Sequence, residues 1–326
     1  MPKAVQVTQT GGPEVLTYTD VEPRDPGPGE VLVRVAAAGV NYIDTYHRSG
    51  LYPQELPLTL GLEGAGTVEA LGSGVADDTT ISVGTRLAWS SSPGSYAEYA
   101  VVKAATAVPV PDGVDDETAA ATLLQGLTAH YLATSTYAVQ PGDTVLVHAA
   151  AGGVGLLLVQ LVKAREGRVI ATVSTAEKEA LALEAGADEV IRYTEQDFAA
   201  RTRELTDGEG VAAVYDGVGK TTFDGSLSVL RRRGTLALFG ASSGPVDPVD
   251  PQRLNKAGSV FLTRPTLADH VATPQELLWR ASELFAGIES GTLSIRIGGR
   301  YPLAQARQAH EDLEGRRSTG KLLLVP

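Results

Sequence analysis

The sequence predicts an α/β protein, a doubly wound parallel sheet joined to a second, mostly β domain. Three observations carry this reading. From residue 144 onward, short apolar runs alternate with helical patterns, giving expected strands at 144–148, 169–173, 189–193, 211–216, 235–239 and 259–263. Within that series, residues 144–173 read as strand, small-residue turn, helix and strand. Residues 1 to about 125, by contrast, show no such alternation, and their short apolar runs are separated by Gly and Pro.

A chain of 326 residues is long enough for two domains with separate cores. There is no cysteine, which excludes disulfides, thiolate nucleophiles and thiolate zinc sites. The net charge of −12 argues against a nucleic-acid or anionic-membrane surface, because phosphate recognition needs clustered cations. No apolar run approaches the ~20 residues that span a bilayer. The first residues lack a basic stretch followed by an apolar core, so a cytoplasmic enzyme is expected.

In chain order, strands are expected at 4–7, 31–35, 64–71, 85–89 and 95–102, with a Pro/Gly-rich turn over 22–30 and a polar, exposed loop over 73–82. Residues 115–134 are Ala-rich, apolar on one side and acidic at the start, which predicts one helix leading into the second domain. There, helices are expected between most of the strands, including 176–185, stopped by Gly186, and 196–205. Thr273-Pro-Gln-Glu276 combines a capping threonine, a first-turn proline and a glutamate three residues on, so it opens a helix running to about Ser290. A strand at 295–301, a short helix at 304–313 and a strand at 321–325 have no place in the six-strand series. This tail is expected to return to the first domain.

The turn Ala149-Ala-Ala-Gly-Gly-Val-Gly155 carries small residues at Ala150, Gly152 and Gly155, the three-glycine spacing of a dinucleotide site with alanine in first place. Gly152 admits the pyrophosphate, Gly155 lets the helix lie close on the strand, and the backbone from Ala151 through Gly153 and Val154 leads into the helix N-terminus. A tight strand–helix turn without a ligand is the plainer alternative. An NAD site places a carboxylate at the end of the second strand, about 20 residues past the glycines, on the ribose 2′-hydroxyl. Here the strand ends Ala171-Thr-Val-Ser-Thr175, with no carboxylate before Glu177 and with Lys178 one turn on. Ser174 and Lys178 suit a 2′-phosphate, so NADP is expected. Ser174-Thr-Ala-Glu177 also reads as a capping box, and Ser174 is expected to serve both purposes.

The segment 41–52, NYIDTYHRSGLY, gathers Asn41, Tyr42, Asp44, Tyr46, His47, Arg48 and Tyr52 near a strand end. For Tyr42, a half-exposed core corner is an equal alternative to a site. His130 and His148 read as satisfied core histidines, His270 and His310 as surface positions, and Arg231-Arg-Arg233 as a solvated helix end. The five histidines show no metal spacing.

Asn41-Tyr-Ile-Asp-Thr-Tyr46 with Arg48-Ser-Gly-Leu-Tyr52, Gly61-Leu-Glu-Gly-Ala-Gly66, Gly126-Leu-Thr128, His148 to Gly155 and Phe239-Gly-Ala-Ser-Ser-Gly244 together resemble the zeta-crystallin-like quinone oxidoreductases. These belong to the medium-chain dehydrogenase/reductase superfamily, and the resemblance covers essentially the whole chain. It implies a GroES-like catalytic domain from residues 1–125 with 266–326 returning to it, a Rossmann domain at 126–265, and an active-site cleft. It also implies a homodimer through the edge strand between Ser259 and Thr263.

Zinc-dependent relatives carry Cys near position 41 and His after the Gly of Gly-x-Glu, where this chain has Asn41 and Leu62; their four-cysteine lobe is also missing. By the same resemblance Lys178 and Tyr193 approach the 2′-phosphate, while Asn41, Thr128, Phe239, Gly240 and Ser243 line the cofactor. One departure is Gly217, where a relative has serine.

Alcohol oxidation needs a Lewis acid because a simple alkoxide is unfavourable at neutral pH. A quinone accepts electrons as a delocalised, near-phenolate anion and needs only hydrogen bonds, for which Asn41, Tyr46 and Tyr52 are the candidates. The expected activity is NADPH-dependent quinone reduction. An enone or 2-alkenal reductase and an NADPH-binding structural protein are the alternatives.

Overall fold

The computed structural model describes residues 1–75 and 81–326, and these divide into two compact units. One comprises Met1–Gln125, Ala272–Gly291 and Ile295–Pro326; the other comprises Gly126–Val271 with Thr292–Ser294. The expected loop over 73–82 lies partly outside the described residues.

In the first unit β1 (Lys3–Val7) pairs with β2 (Thr17–Asp20) and later with β4 (Leu58–Thr59). The larger sheet is built on β3 (Glu30–Val40), longer than the run predicted at 31–35 and followed by α1 (Tyr42–Ser49). β3 pairs antiparallel with β5 (Glu63–Leu71) and β7 (Tyr99–Lys103); β6 (Arg86–Trp89) and β8 (Ala107–Pro109) continue beyond β5. Inward-facing Val33, Val35, Val68, Leu87, Trp89 and Tyr96 fill its core.

The single helix expected over 115–134 is broken into α2 (Asp116–Ala120), α3 (Leu123–Tyr131) and a π-helical turn at Leu132–Thr136. The break has a tertiary cause. The Thr122 hydroxyl donates to the Thr118 carbonyl at 2.6 Å, and the Leu124 N–H donates to the Glu63 carboxylate at 2.7 Å, so a distant side chain starts a new helix.

The second unit is the βα series. β9 (Thr144–Val147), α4 (Gly153–Lys163), β10 (Arg168–Val173), α5 (Ala176–Glu184), β11 (Glu189–Arg192), α6 (Phe198–Leu205), β12 (Val211–Asp216), α7 (Phe223–Ser228), β13 (Leu230–Leu238), α8 (Gln252–Lys256) and β14 (Phe261–Thr263) follow in order. The six strands are parallel in the order β11-β10-β9-β12-β13-β14, so the direction of winding reverses beside β9. Apolar β9, β10 and β12 are buried on both faces, as a doubly covered parallel sheet requires. Arg231 to Arg233 lie within β13 rather than at a helix end: Arg231 is held by Asp143 at 3.0 Å and by the Tyr137 hydroxyl at 3.2 Å.

After α9 (Leu267–His270) the chain rejoins the first unit at Ala272. There α10 (Pro274–Glu289) begins with the expected capping box, the Thr273 hydroxyl and Glu276 satisfying each other's backbone N–H groups. β15 (Ile297–Pro302), α11 (Ala306–Glu314) and β16 (Lys321–Val325) finish the chain. β16 pairs with β3, Leu322 opposite Val40 and Leu324 opposite Ala38, so the tail completes the first unit's sheet. No helix among the described residues is long and apolar enough to cross a membrane.

Candidate functional site

In the second unit the predicted cofactor residues of the turn, of 174–193 and of 239–243 lie at the carboxyl ends of the parallel strands. β9 ends at Val147, and His148 is held by two hydroxyls, Nδ1 with Thr172 Oγ1 at 2.8 Å and Nε2 with Ser226 Oγ at 2.9 Å. Ser226 in turn donates to Asp216 Oδ2 at 2.8 Å, so its oxygen accepts from His148 Nε2–H, and Thr172 donates to Nδ1. Asp216, fully buried, also accepts from the Val218 and Gly219 N–H groups at 2.8 and 3.0 Å and from the Thr222 hydroxyl. Sequence reasoning identified His148 as a satisfied core histidine but had no signal for its partners.

On this base sits the turn. Gly152 is the N-cap of α4 and supplies no capping side chain, which leaves first-turn N–H groups and the positive end of the helix dipole for an anion. A methyl group on Gly152 would stand 3.2 Å from the Ala149 carbonyl. On Gly155 it would collide with that carbonyl and lie 2.7 Å from Ala150 Cα. Gly155 therefore fixes the closeness of helix and turn, while Gly152 keeps the mouth clear. Ala150 and Ala151 are buried, and Gly153 and Val154 form the helix start.

At the end of β10, Thr175 and not Ser174 caps α5, its hydroxyl accepting the Lys178 N–H at 3.3 Å. The dual role expected of Ser174 is thus corrected. Thr175 is the residue with extended backbone directly before the first helical turn, the geometry a cap needs. The Tyr193 N–H reaches the Val173 carbonyl at 3.1 Å and the Thr194 hydroxyl reaches the Ser174 carbonyl at 3.0 Å, which brings half-exposed Tyr193 beside Ser174. No carboxylate lies between Val173 and Ala176.

Beyond β13, the Phe239 N–H donates to the Asp216 carbonyl at 2.9 Å. Its ring lies over Gly217, where an added Cβ would be 2.9 Å from Phe239 Cζ. The departure at Gly217 therefore has a steric reason: a serine there would displace Phe239. Gly240 follows against the Gly217 carbonyl. The Ser243 hydroxyl donates to the Val218 carbonyl at 2.8 Å and accepts the Thr221 N–H at 3.1 Å, tying the two strand-end loops together. Thr128 is buried on α3.

In the first unit, Asn41 ends β3 and caps α1. Its backbone N–H donates to Asp44 Oδ2 at 2.8 Å. Its side-chain Nδ2 donates to the Glu63 carboxylate at 2.9 Å and to the Gly39 carbonyl at 3.2 Å. Its Oδ1 accepts from Lys321 Nζ at 2.8 Å, and Lys321 also pairs with Glu63. All three side chains are buried. Both amide hydrogens of Asn41 are thus committed, which removes it as a donor to an electron acceptor. Sequence reading missed Glu63 and Lys321 as site residues.

Behind α1 runs a second buried chain. Arg48 Nη1 donates to His310 Nδ1 at 2.9 Å, which puts the imidazole hydrogen on Nε2, facing Tyr96 Oη at 3.1 Å. Tyr96 then donates to Asp44 Oδ2 at 3.0 Å, and Arg48 is anchored to Glu314 at 2.8 Å. Burial pushes the Asp44 carboxyl up to about 7 and, with the adjacent Arg48 cation, holds His310 down to about 3. The surface position expected for His310 is therefore corrected, since its ring is fully enclosed. His270 is likewise not free at the surface: within the second unit it stacks on Tyr131 at 4.1 Å.

Tyr42 donates to the Leu313 carbonyl at 3.1 Å and is a packing corner. Tyr46 and Tyr52 stand edge to face at 5.3 Å, Tyr52 half-exposed and tied back by its N–H to the Tyr46 carbonyl. His47 lies 6.4 Å from Tyr52, and burial lowers its pKa.

A small-residue turn at the reversal point of a parallel sheet, with an uncapped helix behind it, defines a dinucleotide-binding protein. A protein-family model described as alcohol dehydrogenase GroES-like domain matches residues 27–112, and one described as zinc-binding dehydrogenase matches 153–272. A quinone oxidoreductase of Pseudomonas aeruginosa is 49% identical, with both chains covered in full. A 2-haloacrylate reductase of a Burkholderia species is 39% identical over 100% of this chain and 99% of its own. The solved structure of a mycobacterial protein complexed with NADPH is 58% identical, with a TM-score of 0.97 over 99% of this chain and 100% of that one. The chain belongs to the quinone oxidoreductase family of the medium-chain dehydrogenase/reductase superfamily.

Proposed function

We propose that this oxidoreductase is an NADPH-dependent, zinc-independent quinone reductase. The observation that carries the reading is the end of β10, where Ser174 and Tyr193 converge, Lys178 follows one turn on, and no carboxylate stands to repel a 2′-phosphate. The cofactor is NADP(H), as in the mycobacterial relative. Gly152 and Gly155 fit it sterically, and the α4 N-terminus fits its pyrophosphate electrostatically.

Bound there, NADPH would supply reducing equivalents from nicotinamide C4. Phe239, Gly240, Ser243 and Thr128 position the cofactor beside the turn. Tyr46 and Tyr52 offer hydroxyl and ring edge to a planar acceptor and stabilise the anion that forms on it. The chain supplies no cysteine for a thiolate metal site, and a metal is not required for an acceptor that delocalises charge. The 2-haloacrylate reductase relative favours a second reading, reduction of an activated carbon–carbon double bond in an enone or 2-alkenal. Exposed Phe261 on edge strand β14 supports a homodimer formed there, and we place the protein in the cytoplasm.

The test is steady-state oxidation of NADPH and NADH against 1,4-benzoquinone, a 2-alkenal and an enone. NADPH with quinone is expected to be fastest; equal use of NADH rejects the cofactor assignment, and binding without turnover of any acceptor favours a structural role. Replacing Tyr46 and Tyr52 singly by Phe is expected to lower quinone kcat/KM by about tenfold each, the loss of one hydrogen bond to a charged oxygen. Unchanged turnover in both variants rejects their role.

A further inference from the structure

Glu63 ends the Gly61-Leu-Glu63 run and Lys321 opens the last strand, and their ion pair is enclosed directly against Asn41. The three side chains dictate one arrangement. An ammonium cannot accept a hydrogen bond, so the Asn41 atom facing Lys321 at 2.8 Å is the carbonyl Oδ1. A carboxylate and a peptide carbonyl cannot donate, so the atom facing Glu63 and Gly39 is Nδ2. A flipped amide would set donor against donor and acceptor against acceptor among side chains buried from solvent.

The space for the pair is built into the backbone. A side chain on Gly39 would collide with Glu63 and lie 2.7 Å from Lys321 Cε and 2.8 Å from the Ala120 carbonyl. The second oxygen of Glu63 accepts the Leu124 N–H at 2.7 Å, so one carboxylate joins β5, the end of β3, the start of α3 and, through Lys321, β16.

A buried ion pair gives little net stability over well-packed apolar residues, but it can enforce one geometry. We propose that Glu63 and Lys321 are positioning residues of the acceptor half: they lock the Asn41 carboxamide and, through it, the start of α1, the helix that carries Tyr46. This rests on the reading of Tyr46 as an acceptor contact.

The test uses the full chain with Lys321→Met combined with Glu63→Gln, a neutral pair of similar length. A second variant, Asn41→Leu, leaves the ion pair intact. Three quantities are read: hydrogen exchange of the segment 41–49, kcat and KM for 1,4-benzoquinone, and the Kd for NADPH. Both variants are expected to speed exchange over 41–49 by about tenfold, equivalent to ~1.4 kcal/mol of lost local protection. Both are also expected to lower quinone kcat/KM by about tenfold, the neutral pair while changing the NADPH Kd less than about twofold. Unchanged exchange over 41–49 in a folded variant overturns the proposal. Should the neutral pair fail to fold, the Asn41→Leu result alone decides. A parent enzyme that fails to reduce quinones rejects the functional reading, while the exchange measurement still decides the clamp.

Discussion

The two units solve the same problem, fixing a functional loop, with opposite chemistry. Beneath the dinucleotide turn, His148, Thr172 and Ser226 pass neutral hydrogen bonds to a single carboxylate, Asp216, which backbone N–H groups and hydroxyls satisfy. Around α1 the supports are ionic: Glu63 with Lys321, and Arg48 with Glu314, joined to Asp44 through Tyr96 and His310. A turn whose work is done by backbone needs small residues and quiet surroundings. A segment whose work is done by side chains needs each held in one orientation, and charged partners do that at the cost of desolvation.

The largest effect that separates the two is expected at the glycines of the turn. Gly155→Ala puts a methyl group into the Ala149 carbonyl and within 2.7 Å of Ala150 Cα, and neither backbone atom can move without unseating α4 from β9. We expect a loss of about 3 kcal/mol or more in denaturant unfolding, together with loss of NADPH binding. Gly152→Ala meets only one atom, at 3.2 Å, so stability should change by less than about 1 kcal/mol while NADPH binding still fails. Equal destabilisation by both variants would show that Gly152 is structural rather than ligand-facing.

This contrast also explains what was legible in the sequence. The turn and its helix are contiguous, their spacing is set by backbone geometry, and Ala150, Gly152 and Gly155 could be placed from order alone. The missing carboxylate before Glu177 was equally local. Glu63, Asn41 and Lys321 are scattered from one end of the chain to the other, and only the tail strand β16 pairing with β3 brings them together. Lys321 therefore read as the start of an ordinary strand and His310 as a surface residue. The helix break at Thr122 was hidden for the same reason, since Leu124 is capped by a carboxylate from β5. Ser174 was misassigned on a finer scale, because two adjacent hydroxyls compete for one cap and backbone geometry selects Thr175.

The ionic side can be probed by pH. Asp44 has its pKa raised from 3.8 to about 7, so between those values the folded state holds a proton that the unfolded state has lost. Its contribution to stability is present below 3.8 and is lost as pH rises through 7. His310 is lowered from 6.5 to about 3, so its contribution is present above 6.5 and is lost as pH falls through 3. Of the groups facing Asp44, the Asn41 N–H, Tyr96 and Lys321 lower it and Glu63 raises it, and burial outweighs those that lower it. Across roughly pH 4 to 6.5 the two slopes oppose each other. Asp44→Asn is expected to leave His310 unopposed, so that stability rises with pH more steeply than in the parent, by about 1.4 kcal/mol per unit in this range. His310→Gln is expected to reverse the sign. Thermal or denaturant unfolding at half-unit pH steps measures both; two variants with the same slope would reject the assignment. Burial lowers His148 in the same direction as His310, so His148→Gln is likewise expected to remove part of the rise of stability with pH.

The smallest of these effects concerns the cofactor side of the comparison, where a steric fit replaces a charge. Phe239 rests on Gly217, with 2.9 Å between Cζ and any added Cβ, and the same strand-end loops are joined by Ser243 to Val218 and Thr221. The loop is tied at Ser243, so a side chain at 217 displaces the ring rather than the loop. Gly217→Ser should therefore weaken NADPH binding by about tenfold, ~1.4 kcal/mol, while leaving the unfolding midpoint nearly unchanged. Gly217→Ser with Phe239→Leu removes the colliding ring edge and should regain most of that loss. Phe239→Leu alone should cost less than the Gly217→Ser change. A double-mutant cycle on NADPH affinity measures the coupling directly, and a coupling energy of zero would show that Gly217 and Phe239 act independently. A clear coupling would place the departure at Gly217 in the cofactor pocket as the partner of Phe239.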